Sequence, residues 1–239
     1  MNVVSDSLSV VASKVFDEDI HLPKAAPENR KSGEEVVNED FKLFPEEKWF
    51  SVSEISDSLF EVINGNSFNE LTPVSRGDLR YLKVLHKDFE GKSRIGELIC
   101  NQEIADELLE IFLALYRADY PIERIVLVEE FGSSDSASMA TNNTSCFNSR
   151  RVPGSRTLSK HAYGLAIDLN PLYNPLVKIR NGRITIMPEE GNLYADRSIR
   201  NPHQITASDT AYRLFKQYGF RWGGDWRSAK DYQHFEKSL

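Results

Sequence analysis

The chain has 239 residues, 40% of them hydrophobic and 10% aromatic, which suffices to bury the core of one full-sized domain. Its formal charge of -7 is unevenly spread: residues 1–40 hold nine acids against four bases, and residues 121–239 hold twelve acids against sixteen bases. An acidic total without a Lys/Arg run excludes nucleic acid as the main ligand, and no apolar run approaches the roughly 20 residues of a membrane span.

In chain order, residues 1–45 are polar and interrupted by Pro23 and Pro27, and are expected to form a tail or packed extension ahead of one domain at 46–239, with a short helix at 5–15. The first twenty residues, with Asp6 in their apolar start, lack the apolar core of a secretory leader. Ile55, Leu59, Val62 and Ile63 recur at helical spacing before Gly65, which predicts a helix over 54–64. Runs at 79–86 and 95–99 flank the turn-like Glu90-Gly91-Lys92-Ser93 and predict a hairpin, although the first run also reads as helix. Ile104, Leu108, Ile111, Phe112 and Leu115 mark a helix over 102–118 capped by Asn101. Strands follow at 125–128 and 166–169, a hairpin at 178–186 around Asn181-Gly182, a helix at 208–218 capped by Ser208 or Asp209 and stopped by Gly219, and a strand near 232–236. Helices and hairpins without strict strand-helix alternation predict an α+β fold with a largely antiparallel central sheet flanked by helices. Cys100 and Cys146 form either one disulfide or, the simpler reading, two buried thiols.

The chemistry concentrates in Ser159-Lys160-His161-Ala162-Tyr163-Gly164-Leu165-Ala166-Ile167-Asp168 and in Asp231-Tyr232-Gln233-His234. Two imidazoles and one carboxylate form a donor set that zinc takes in hydrolytic sites, so His161, Asp168 and His234 are the candidate ligands. Asp231 is placed to serve as an acid-base group beside them. Gly164 lets the chain bend between ligands, and the small Ala166 is expected to leave room for substrate. His21, His86 and His203 read as ordinary surface or core residues. Trp222 reads as core, Tyr163 and Trp226 as cleft walls, and Asp225 as a candidate to orient His234. The Asn142-Asn143-Thr144 sequon reads as a polar loop.

These blocks, together with Asp135-Ser136-Ala137-Ser138-Met139, the run Asn142 to Arg151, Asn170-Pro171, Asn174-Pro175 and the ending Gly219 to Asp225-Trp226, resemble the D-alanyl-D-alanine carboxypeptidase family of zinc peptidases. That family includes D-Ala-D-Ala dipeptidases and L-alanyl-D-glutamate endopeptidases. The resemblance covers roughly residues 50–239 and implies a fold similar to the Hedgehog-like zinc peptidases. It implies Zn2+ on His161, Asp168 and His234, with Asp231 as the base that takes a proton from the attacking water and returns one to the leaving amine. Where many members carry Glu, this chain has the shorter Asp231. The Phe-Asn-x-Arg pattern selects Arg150 to hold the developing oxyanion, with Arg151 as its rival. Ser159 either hydrogen-bonds substrate or caps a turn.

The activity so implied is hydrolysis of peptidoglycan stem peptides, foremost as a D-alanyl-D-alanine carboxypeptidase, by a monomer in the periplasm or outside the cell. The alternatives are an L-alanyl-D-glutamate-type endopeptidase and a non-catalytic wall-binding module that retains the metal site. A thiol hydrolase built on Cys146 and His161 lacks any reactive-cysteine motif, and neither Gly-x-Ser-x-Gly nor His-Glu-x-x-His occurs. The segment 176–205 between ligands is expected to form the cleft rim.

Overall fold

The computed structural model describes residues 26–239, so the helix expected at 5–15 lies outside the described residues. The first half runs through β1 (Glu35–Val36), α1 (Asn38–Leu43), β2 (Ser51–Glu54), α2 (Asp57–Ile63), β3 (Leu79–Lys87), β4 (Ser93–Asn101), α3 (Gln102–Arg117) and α4 (Asp135–Ala140). The second runs through β5 (Ala166–Asp168), β6 (Leu176–Arg180), β7 (Arg183–Met187), α5 (Thr210–Gln217), β8 (Arg221–Trp222), β9 (Lys230–Asp231) and β10 (His234–Glu236). Among the described residues these strands pair antiparallel, and the fold is α+β. The strands divide into three small sheets, ordered β1-β4-β3-β2, β5-β10-β8 and β7-β6-β9.

The β3–β4 hairpin and α3 form the frame. Asp88 closes the hairpin by accepting from the backbone N–H groups of Glu90 and Lys92, and Gly91 takes the left-handed conformation there. Helix α3 buries Ile104, Leu108, Ile111, Phe112 and Leu115, the stripe its sequence spacing predicts. It packs on the hairpin on one side and on α5 on the other, where Phe215 stacks on Phe235 of β10 with ring centres 4.3 Å apart. Asp209, rather than Ser208, caps α5 by accepting from Ala211 N–H. Residues 26–50 pack against the same frame: Val36 and Trp49 are buried, and the buried Arg30 pairs with Glu34 and Asp40.

Three local expectations need correction. Residues 125–128 form no strand; the Asn143 side chain instead accepts from Val126 N–H and donates to Val126 C=O, satisfying the backbone that a neighbouring strand would have served. The helix expected at 54–64 begins only at Asp57, because Ser51–Glu54 pairs with β3 and Ser56 supplies the cap; Val62 on that helix is 49% exposed. The closing strand begins at His234, since Asp231 pairs with a different sheet. The turn at Asn181-Gly182 has positive φ at both residues, as a two-residue hairpin needs. Both cysteines are buried free thiols. No helix among the described residues is long and apolar enough to cross a membrane.

Candidate metal centre

The chain builds the site where two of the small sheets meet. Strand β10 pairs with β5 so that His234 lies opposite Asp168, whereas β9 pairs with β6 so that Asp231 lies opposite Leu176. The four residues from Asp231 to His234 therefore pass from one sheet to the other and present both side chains to a common cleft. Gly223 allows this crossing, because a Cβ there would lie 2.5 Å from the Asp231 carbonyl oxygen.

His161 sits on a 3-10 turn, Lys160–Tyr163, that ends at Gly164 with φ +66°. This turn is docked on the start of α3. Asn101 donates its backbone N–H to Gly164 C=O at 2.9 Å and its side-chain amide to Tyr163 C=O at 3.0 Å, while its Oδ1 caps the helix. A Cβ on Gly164 would approach Asn101 N to 2.6 Å. Gly164→Ala should thus combine left-handed strain with a backbone clash and destabilise the fold by about 3 kcal/mol, read from urea unfolding.

The donor atoms converge closely. His161 Nε2 lies 3.1 Å from Asp168 Oδ2, His234 Nδ1 lies 3.0 Å from Asp168 Oδ1, and the two imidazole nitrogens are 3.3 Å apart. Zinc with bonds of about 2.0–2.1 Å holds tetrahedral ligand atoms roughly 3.3 Å from one another, and the 3.3 Å between the two imidazole nitrogens matches that spacing, with one oxygen of the Asp168 carboxylate beside each nitrogen. All three residues are buried, and together they form a group able to hold a metal ion.

The far side of each imidazole is fixed as well. His161 Nδ1–H donates to Cys146 C=O at 2.5 Å, which turns Nε2 towards Asp168 and makes it the nitrogen that would meet a metal once unprotonated. His234 Nε2–H donates to Glu236 at 3.3 Å, which leaves Nδ1, and Glu236 is held in turn by Arg221 at 2.6 Å. Asp225, the sequence candidate for orienting His234, is instead a half-exposed partner of Lys216. Glu236 was legible: it stands two residues beyond His234 on a strand, on the same face. Replacing this charged acceptor by a neutral amide should weaken metal affinity in Glu236→Gln by about 10- to 100-fold, measured by chelator competition.

Burial sets the acidities, together with the neighbouring charges. Burial alone would raise Asp168, but the charges and hydrogen bonds of His161 and His234 outweigh it and hold this carboxyl well below the ordinary range. Burial opposes charge on His234, yet Asp168 and Glu236 outweigh that effect and carry the imidazole up to about 10. Asp231, partly open to the cleft, is pushed by burial and by the Asp168 charge up to about 6, against the pull of His234 and Gln233.

Arg150 enters from the opposite wall. Its Nη2 is anchored 2.8 Å from Asp135 at the start of α4 and lies 4.0 Å from Asp168, and its buried Nε has no partner among the described residues. Arg151 turns outward and donates to Arg156 C=O. The ion pair with Asp135 was not readable from sequence, because fifteen residues and two turns separate the partners. The Ser159 hydroxyl caps the turn by accepting from His161 N–H at 3.3 Å, and it also lines the cleft.

The cleft itself measures about 1130 Å³. The β6–β7 hairpin forms one rim, the loop at 150–158 the other, and Tyr163 and Trp226 wall it, with Trp226 5.4 Å from the His234 ring. Ala166 does not reach it: this residue is fully buried within β5. Trp222 is buried and donates to Tyr232 C=O. Asn142 is buried and bonded to Glu123 and Leu172, so the sequon is structural. His86 is buried and donates to Ile122 C=O, and His203 stacks on Phe89. Cys146 is buried with its thiol raised well above the ordinary value, and His161 contacts its carbonyl rather than its sulfur, which leaves no thiolate nucleophile.

No curated protein and no solved structure matches the chain. A family model described as D-alanyl-D-alanine carboxypeptidase matches residues 153–237, a stretch that begins after Arg150 and contains all three convergent donors together with Asp231. Over that stretch, about a third of its length, the chain is similar to the D-alanyl-D-alanine carboxypeptidase family.

Proposed function

We propose that this protein is a zinc-dependent peptidase of the cell envelope that hydrolyses peptidoglycan stem peptides, as a D-alanyl-D-alanine carboxypeptidase. The observation that carries the reading is the convergence of His161 Nε2, His234 Nδ1 and the Asp168 carboxylate within 3.3 Å of one another, with Asp231 and Arg150 lining the same cleft. Zinc, when bound there, supplies a Lewis acid that polarises the scissile carbonyl and makes water nucleophilic near neutral pH.

The chain supplies the remaining chemistry. Asp231, raised towards neutrality by burial, accepts the proton of the attacking water and passes one to the leaving amine. Arg150, held by Asp135, offers its guanidinium to the oxygen on which charge develops. Ser159 holds the His161 turn through its lone pair, and its hydroxyl proton remains to bond substrate. The size of the cleft favours a second reading, in which the scissile bond lies inside the stem peptide, because a terminal dipeptide would fill only part of about 1130 Å³.

The purified protein should carry about one zinc per chain by elemental analysis, and a chelator should abolish cleavage of defined muropeptides. Product masses then separate loss of a terminal D-Ala from internal cleavage. Bound zinc with muropeptide affinity and no cleavage would leave a wall-binding module instead.

A further inference from the structure

The β6–β7 hairpin is two-faced in an unusual sense. Alternation along its strands turns Lys178, Arg180, Arg183 and Thr185 towards the cleft, whereas Ile179 and Ile184 on the other face are 64% and 61% exposed. Arg180 and Arg183 lie directly opposite each other across the strands, an arrangement in which like charges destabilise the pair. Among the described residues, no carboxylate pairs with either arginine. Each carboxylate that lines it has other partners: Asp135 holds Arg150, Asp168 sits between the imidazoles, Glu236 takes His234 and Arg221, and Asp231 accepts from Gln233. Three cations thus line the cleft that holds the candidate metal centre, with no ion-pair partner among the described residues.

We propose that this inner face is an anion subsite that selects peptides carrying a second free carboxylate besides the chain terminus, a specificity that rests on the peptidase reading above. Residues two apart on one strand face stand roughly 7 Å apart, a spacing that lets Lys178 and Arg180 meet separate carboxylates of an extended peptide. Arg180 and Arg183 together present two planar forks to one carboxylate, which would also remove their mutual repulsion. A peptide suits the site better than a phosphate-bearing polymer, because the cations share a cleft with Asp231 and Arg150.

The test uses two synthetic stem peptides that differ only in one γ-linked D-glutamyl residue, with its α-carboxylate free in one and amidated in the other. Their Kd values are measured by calorimetry on zinc-loaded Asp231→Asn protein, with the hairpin intact or carrying Lys178→Gln, Arg180→Gln and Arg183→Gln together. The intact hairpin should favour the free acid by about tenfold, a preference that shrinks as salt is raised and falls to about twofold or less in the triple variant. Equal binding of both peptides by the intact hairpin, or a preference that survives the triple substitution, would overturn the subsite. Displacement by a glycerol phosphate polymer without discrimination between the peptides would do so as well. Arg180→Gln alone should leave the melting temperature unchanged or raised, and a fall would show that the arginine is structural. Cleavage is scored separately with the unsubstituted zinc-loaded protein. If neither peptide is cut while binding still discriminates, the peptidase reading fails and the subsite stands.

Discussion

Asp231→Asn should reduce cleavage about a thousandfold while leaving the metal in place and making the metal-free protein more stable. The two effects share one cause. Burial and the nearby Asp168 carry Asp231 up to about 6, which means that the folded protein resists its ionisation. A carboxyl whose folded pKa exceeds its unfolded value of about 3.9 costs stability when ionised; the cost is complete above the folded value and absent below the unfolded one. Asparagine keeps an oxygen for the Gln233 amide, 3.3 Å away, and carries no charge. Because Asp231 is partly open to the cleft, solvent screens the penalty, and the gain is expected at about 1 kcal/mol, or about 3 °C in Tm at pH 8. The difference should vanish as the pH is lowered through 6 towards 4. In the unsubstituted enzyme, kcat/KM should fall with acidification at or below about pH 6, since a bound cation lowers the carboxyl further and only the ionised form accepts a proton. A variant that retains turnover would remove Asp231 from the mechanism; one that loses turnover along with its zinc would make it a ligand.

How much of this could be read from the sequence depended on how local each feature is. Helix α3 and the two hairpins follow from periodicity and from Asn181-Gly182, because their stabilising contacts lie within a few residues. Gly164 was legible for the same reason, as the end of a tight turn between two ligand-type residues. At 125–128 a run of apolar, mostly β-branched residues signals burial and extension but not the partners, which are the Asn143 side chain at Val126 and Glu97 N–H at Ile125 C=O. The antiparallel pairing expected from the lack of strand-helix alternation is present but divided among three sheets, because β9 and β10 are separated by only Tyr232 and Gln233 yet pair with different strands. The residue types of the site were visible as His161, Asp168, Asp231 and His234, but the choice of nitrogen on each imidazole was not. That choice depends on Cys146 C=O and Glu236, contacts that exist only after the chain has folded.

Asp168→Ala should remove the metal altogether and reduce cleavage to background, and it is the most informative of the ligand substitutions. The carboxylate bridges the two imidazoles with one oxygen to each, so its loss deletes a donor and also the group that holds His161 and His234 at their spacing. It further removes the leading attraction that keeps His234 charged in the metal-free protein, where hydrogen bonds to Asp168 and Glu236 carry the imidazole to about 10 against the effect of burial. That charge has a measurable consequence for loading. A metal can take Nδ1 only after His234 gives up a proton, so zinc binding at pH 7 should release about one proton from this residue and weaken as the pH falls. Calorimetric titration in buffers of different ionisation enthalpy reads that proton directly. In Asp168→Ala both the heat of zinc binding and its buffer dependence should disappear, whereas in Glu236→Gln binding should persist, weakened, with a smaller proton release because one of the two groups stabilising the imidazolium is gone. Retention of stoichiometric zinc by Asp168→Ala would mean that His161 and His234 recruit another donor from the cleft, and the assignment of Asp231 as base rather than ligand would fall with it.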